Sequence, residues 1–143
     1  MTRYLLDTNI ISDVTKTTPS ERLMAWMAAQ KDEDLFIASL TLAEICKGIL
    51  QKPQGRKRRS LEVWFAGPEG PQALFAGRIL PFCEAAGLVW ARLMADGRAM
   101  GRPRNGLDMI IAAVAEAYDC KVVTNNERDF PQIAIVNPMR AAD

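Results

Sequence analysis

Tyr4-Leu5-Leu6 is a short apolar run that ends abruptly on Asp7, and it limits the possible folds more than any other stretch. An apolar run without alternation suits a strand covered on both faces, which is the situation of strands in a parallel sheet. Leu35 to Ser39, Lys121 to Thr124 and Ile133 to Val136 read as further strands, each separated from the last by helical or turn-rich sequence. Strands that alternate with helices imply an α/β fold whose mainly parallel sheet carries helices on both sides. In such folds the carboxyl ends of the strands line the ligand crevice, and Asp7 falls at such an end. The competing role for Asp7 is to cap the short helix opened by Thr8, Asn9, Ile10 and Ile11.

The helices follow from local signals. Thr18-Pro19-Ser20-Glu21 predicts a start with Thr18 as N-cap, Pro19 in the first turn and Glu21 closing a capping box, the helix ending near Lys31. Thr41-x-x-Glu44 has capping-box spacing and opens a helix to about Gln51, which gives Glu44 a purely structural alternative. Arg56-Lys57-Arg58-Arg59 begins another helix; a basic run of this kind is either a solvated face or a grip for phosphates or an acidic partner. Leu80-Pro81-Phe82 is extended, and a long helix covers Cys83 to Met100. Leu107 to Tyr118 is apolar almost all round and therefore buried. Asp108 stands in its first turn, where a carboxylate suits the helix dipole or a paired, metal-bound site. With 143 residues and no linker or repeat, residues 1–143 read as one domain.

Composition matters mainly by exclusion. The chain has no histidine, which removes Ser-His-Asp and Cys-His catalysis and histidine-containing zinc sites. A formal charge of +1 leaves no overall footprint for nucleic acid, so any polyanion must meet local basic groups. Three cysteines without a CxxC pair suggest reduced thiols. No apolar run approaches the roughly 20 residues needed to span a bilayer. The opening has no signal-peptide pattern, so the expected compartment is the cytoplasm and no membrane partner is expected.

Asp7, Glu44 and Asp108 each follow a strand or open a helix that should lie along one sheet edge, and Asp129 comes after the strand ending at Thr124. Gathered carboxylates repel one another unless a cation neutralises them. A set of acids drawn from across the chain therefore suggests a hard divalent ion, Mg²⁺ or Mn²⁺, and metal-assisted phosphodiester hydrolysis.

These segments together resemble a known family. Leu5-Leu6-Asp7-Thr8-Asn9-Ile10-Ile11-Ser12 resembles the opening motif of PIN domains, in particular the VapC/FitB-type toxins of bacterial toxin–antitoxin modules. Thr41-Leu42-Ala43-Glu44-Ile45 with Gly48, Leu74 to Phe82, Leu107-Asp108-x-x-Ile111-Ala112-Ala113, and Thr124-Asn125-Asn126-x-x-Asp129-Phe130 resemble its later motifs in the same order. The resemblance implies a PIN-like three-layer α/β/α fold and a metal-dependent ribonuclease. It places Asp7, Glu44 and Asp108 as acids binding Mg²⁺ or Mn²⁺, with Thr8 and Thr124 as supporting hydroxyls and Asn9 and Asn126 as supporting amides. A fourth acid of many relatives falls on Asn126, so either Asp129 takes its place among the catalytic acids or three acids act. Cys83 stands where an acid often follows the Leu-Pro-Phe segment and is read as non-catalytic. The resemblance further implies a small VapB-like antitoxin, an RNA substrate, a homodimer, and operator DNA bound only through the antitoxin.

Two other readings use the same residues. A phosphatase of the haloacid-dehalogenase type also begins with an aspartate after a strand, but it needs a second aspartate where Asn9 stands. A PIN-like module that only binds RNA or a protein partner would account for the neutral Asn126. Nucleotide binding of the Rossmann or P-loop kind lacks its glycine motifs.

Overall fold

The computed structural model describes residues 2–140. Five strands, β1 (Arg3–Leu6), β2 (Leu35–Ala38), β3 (Ile79–Leu80), β4 (Cys120–Val123) and β5 (Ile135–Val136), pair in the order β3-β2-β1-β4-β5. Every pairing is parallel, with Leu6 opposite Val123 and Leu5 opposite both Phe36 and Val122. The sheet is thus entirely parallel rather than mainly so. The helices are α1 (Thr8–Val14), α2 (Glu21–Ala29), α3 (Ser39–Leu50), α4 (Arg56–Ala66), α5 (Pro71–Leu74), α6 (Glu84–Ala99) and α7 (Gly106–Ala117). Among the described residues no helix is long and apolar enough to cross a membrane.

Consecutive apolar strand residues divide the interior into two layers of packing, because neighbouring side chains on a strand point to opposite faces. Leu5, Phe36, Ala38, Leu80 and Val122 pack under α6 and α7 with Leu93, Met109 and Ile111. Leu6, Leu35, Ile37 and Val123 pack on the other side against Ile10, Ile11, Leu23 and Phe75. Helices on both faces give the three-layer α/β/α arrangement. Helix α7 is seated by polar contacts at its start: Asn105 accepts from the backbone N–H groups of Leu107 (2.9 Å) and Asp108 (3.0 Å), and the Trp90 indole donates to Gly106 O.

Strand order reverses at β1. The chain moves outward through β2 and β3, then crosses back to place β4 on the opposite side of β1. At this switch point the loops after β1 and β4 diverge and open a crevice.

Two helix starts differ from expectation. Ser20, not Thr18, caps α2, accepting from the Leu23 N–H at 3.3 Å, because the Ser20 N–H is itself held by Asp13 and the chain turns helical only beyond it. Helix α3 begins at Ser39 directly after β2, so Thr41 and Glu44 lie inside the helix and form no capping box.

Between α4 and α5 the backbone passes very close to itself. A Cβ built on Gly70 would lie 2.3 Å from the Trp64 carbonyl oxygen and 2.4 Å from that of Phe65. Gly70→Ala should therefore lower stability by about 1–3 kcal/mol, the usual cost of overpacking, and thermal unfolding should show a reduced Tm.

Candidate metal centre and its cleft

Asp7 leaves β1 at the switch point, and the residue is only 6% exposed. Its backbone N–H still donates to Val123 O, so the ladder with β4 fixes where the side chain emerges. Oδ1 accepts from the Thr8 N–H at 2.8 Å, the helix-capping contact. Oδ2 accepts from the fully buried Thr124 hydroxyl at 3.0 Å and from Asn9 Nδ2 at 3.2 Å. Capping and site-building are therefore one arrangement. Thr124 in turn accepts from the Asn126 N–H at 3.0 Å, which ties the loop after β4 to Asp7.

Glu44 approaches from α3. The Thr8 hydroxyl donates to its Oε1 at 2.7 Å and lies 3.3 Å from the buried Thr41 hydroxyl. The two threonines and Glu44 thus link α1 to α3 across the crevice mouth. Asp108 enters from the first turn of α7 and is half-buried. Asn105 already caps that helix, and no hydrogen bond to the Asp108 carboxylate occurs among the described residues. Asp129 lies on a single 3-10 turn, Glu127–Asp129, and is exposed.

These residues surround a cleft of about 450 Å³ lined by Asp7, Thr8, Asn9, Glu44, Asp108 and Asn126, together with Ser12, Asp13, Lys16 and Asn125. Asp129 is not part of the lining, but its charge acts on both Asp7 and Asp108. A separate apolar hollow of about 420 Å³ lies beside Ile11, Met27, Trp64 and Phe75, and none of Asp7, Glu44 or Asp108 reaches it.

Burial raises the Asp7 carboxyl above its ordinary value, opposed by the hydrogen bonds from Thr124 and Thr8 and reinforced by the charges of Glu44 and Asp129. Burial likewise pushes Asp108 up to about 6, with the charges of Asp129, Asp7 and Glu44 adding to it. In both carboxyls burial is the leading cause and the neighbouring negative charges add to it. The donors are all oxygens, and Asn9 Oδ1 is buried with no hydrogen-bond partner among the described residues. That chemistry fits a hard divalent cation. Among the described residues no three acidic or cysteine side chains stand close enough together to form a metal site, so Asp7, Glu44 and Asp108 share the cleft without forming a coordination shell.

Sequence reasoning missed Ser12, Asp13, Lys16 and Asn125. Ser12 and Asp13 fall three and four positions beyond Asn9 in α1, a spacing that places them near it on the helix surface. Asp13 is buried; its carboxyl is held below the usual range by the Ser20 N–H and then by the Lys16 ammonium, both at 3.0 Å.

The chain is similar to known proteins over nearly its whole length. The family model for the PIN domain matches residues 4–136. The VapC ribonuclease Y4jK of Sinorhizobium fredii is 34% identical over 140 residues, covering 96% of this chain and 99% of that protein. Toxin FitB of Neisseria gonorrhoeae is 33% identical over 94% of this chain and 96% of its own length. The structure of FitAB bound to an IR36 DNA fragment superposes with a TM-score of 0.88 at 31% identity, covering 98% of both chains.

An aspartate whose folded-state pKa is raised loses stability for the fold as pH climbs. The unfolded chain ionises near 3.8 while the folded one holds its proton to about 6. In metal-free buffer Asp108→Asn should therefore raise Tm at pH 7.5 and have no such effect at pH 3.5. The gain should be about 1 kcal/mol, the full shift being discounted for partial exposure, as read from melts at the two pH values.

Proposed function

The chain belongs to the PIN-domain family, and from that premise we propose that it is a divalent-metal-dependent ribonuclease, the toxin of a two-protein toxin–antitoxin module. The observation that carries this reading is the meeting of Asp7, Glu44 and Asp108 around one cleft at the sheet's switch point, within the field of Asp129. The whole chain, residues 1–143, acts as one PIN domain in the cytoplasm.

Asp7, Glu44 and Asp108 would hold Mg²⁺ or Mn²⁺. When bound, the metal supplies an activated water and stabilises charge on the phosphoryl oxygens. The protein's own part is to hold the acids in place. Thr124 and Asn9 fix Asp7 Oδ2, Thr8 fixes Glu44, and the half-buried Asp108 faces the same cleft from α7. Asp129 adds negative field from the rim and stands in for the acid missing at Asn126, whose backbone N–H steadies Thr124.

The chain has no histidine to serve as base for a serine or cysteine nucleophile, and the reaction is read as hydrolysis by water. The phosphatase reading needs a second carboxylate at position 9. Asn9 there donates to Asp7 instead of acting beside it, which disfavours that reading. A partner that only binds would have no need of four mutually repelling acids, which the fold maintains at a cost in stability.

The partner set follows from the relatives' names. Just as FitB pairs with FitA, this chain pairs with a small VapB-like antitoxin that covers the cleft, and the complex reaches operator DNA through the antitoxin. The chain itself assembles as a homodimer.

Cleavage of single-stranded RNA with Mn²⁺ or Mg²⁺ tests the reading. Asp7→Asn and Asp108→Asn should each lower turnover by at least about 100-fold, and Thr124→Val by about 10–100-fold, the range expected for a hydroxyl that orients a metal ligand. Excess EDTA should stop the reaction. Full activity in Asp7→Asn, or turnover undiminished by chelation, would overturn the mechanism.

A further inference from the structure

The cleft presents a problem of sign. Its substrate under the reading above is a polyanion, yet its walls carry Asp7, Glu44, Asp108 and Asp13, with Asp129 close by. A bound divalent ion offsets the charge at the reacting phosphate alone. The neighbouring phosphates of the strand must still enter the field of the remaining carboxylates, and screening is weak inside a Debye length of roughly 8–10 Å.

Among the described residues that line the cleft, Lys16 is the one cation. It follows the C-terminal cap of α1 and its side chain is 62% exposed. Its ammonium is not left to swing freely, because Nζ donates to Asp13 Oδ1 at 3.0 Å. Asp13 itself is buried and immobilised by its other oxygen, which accepts the Ser20 N–H at 3.0 Å. The Lys16 N–H also donates to Asp13 O. One carboxylate thereby joins the end of α1 to the start of α2 and anchors the intervening loop from both its ends. Lys16 is not the only donor to Asp13, whose other oxygen already accepts the Ser20 N–H. With the ammonium 62% exposed, the pair adds only about 1 kcal/mol to stability. An ammonium has three N–H donors and Asp13 occupies one, so two remain for oxygen acceptors at the cleft mouth.

Resting on the ribonuclease reading, we infer that Lys16 is a substrate-binding residue which grips a phosphate of the RNA strand beside the scissile one, and that Asp13 is its positioning residue. The lysine acts on affinity and on the register of the strand, while the metal-bound acids act on turnover. Arginine at position 16 would preserve the function, because the contact is a charge-assisted hydrogen bond to a phosphate oxygen.

The experiment compares wild type, Lys16→Met, Lys16→Arg and Asp7→Asn. Steady-state cleavage of a single-stranded RNA oligonucleotide is followed with saturating Mn²⁺ over a range of NaCl concentrations. Binding of a 2′-O-methyl RNA oligonucleotide to wild type and the Lys16 variants is followed by fluorescence anisotropy over the same range. Lys16→Met should raise KM about tenfold with kcat within about twofold, the size of one lost charge-assisted contact. It should also reduce the slope of log affinity against log salt by about 0.7, one phosphate contact on a single strand. Lys16→Arg should restore both, and Tm should stay within a few degrees of wild type. An unchanged KM and salt slope in Lys16→Met, or a fall in kcat alone, would overturn the assignment, as would failure of wild type to bind the oligonucleotide. The two readings fail separately. If wild type and Asp7→Asn are equally inactive while the Lys16-dependent binding slope persists, the nuclease reading falls and the phosphate contact stands.

Discussion

The hydrogen bond from the buried Thr124 hydroxyl to Asp7 Oδ2 is the contact on which the rest of the site depends. It joins the ends of two adjacent parallel strands, and it holds an ionisable carboxylate in a place where burial alone would favour its neutral form. Asn9 adds a second donor to the same oxygen, and the Asn126 N–H occupies the threonine's own acceptor. Removed from this network, Asp7 would be an ordinary helix cap. Within it, the carboxylate is fixed at the floor of a cleft toward which three other elements bring acids.

That arrangement explains why crowding of like charge persists in a marginally stable molecule. The raised carboxyls of Asp7 and Asp108 record a free-energy cost that the two apolar layers on either side of the sheet must offset. Natural proteins depart from the most stable arrangement chiefly where function requires it. The departure here is confined to one edge of the sheet. Leu5, Leu6, Val122 and Val123, immediately beneath, belong to the best-buried part of the core.

Much of this was legible in the chain itself. Tyr4-Leu5-Leu6-Asp7 announced both a doubly covered strand and an acid at its exit, and alternation of strands and helices announced a parallel sheet. The apolar circumference of Leu107 to Tyr118 made Asp108 conspicuous. The helix starts at Thr18 and Thr41 were misjudged for one reason: capping boxes are local patterns, whereas tertiary bonds decided both places. Asp13 claims the Ser20 N–H and delays α2, and Thr8 claims Glu44 from inside α3. Asp13 and Lys16 were overlooked because neither follows a strand. Their importance comes from where α1 ends in space, which no short pattern encodes.

The separation of the partners along the chain has a consequence for biosynthesis. The hydroxyl that steadies Asp7 is made 117 positions after it. Parallel pairing of β1 with β4 demands that nearly everything between them be already made, since parallel neighbours cannot be joined by a tight turn. A polypeptide still emerging from the ribosome therefore carries its first acid without the scaffold that arms it. The acid site is complete only after Thr124 has been made and β4 has docked beside β1.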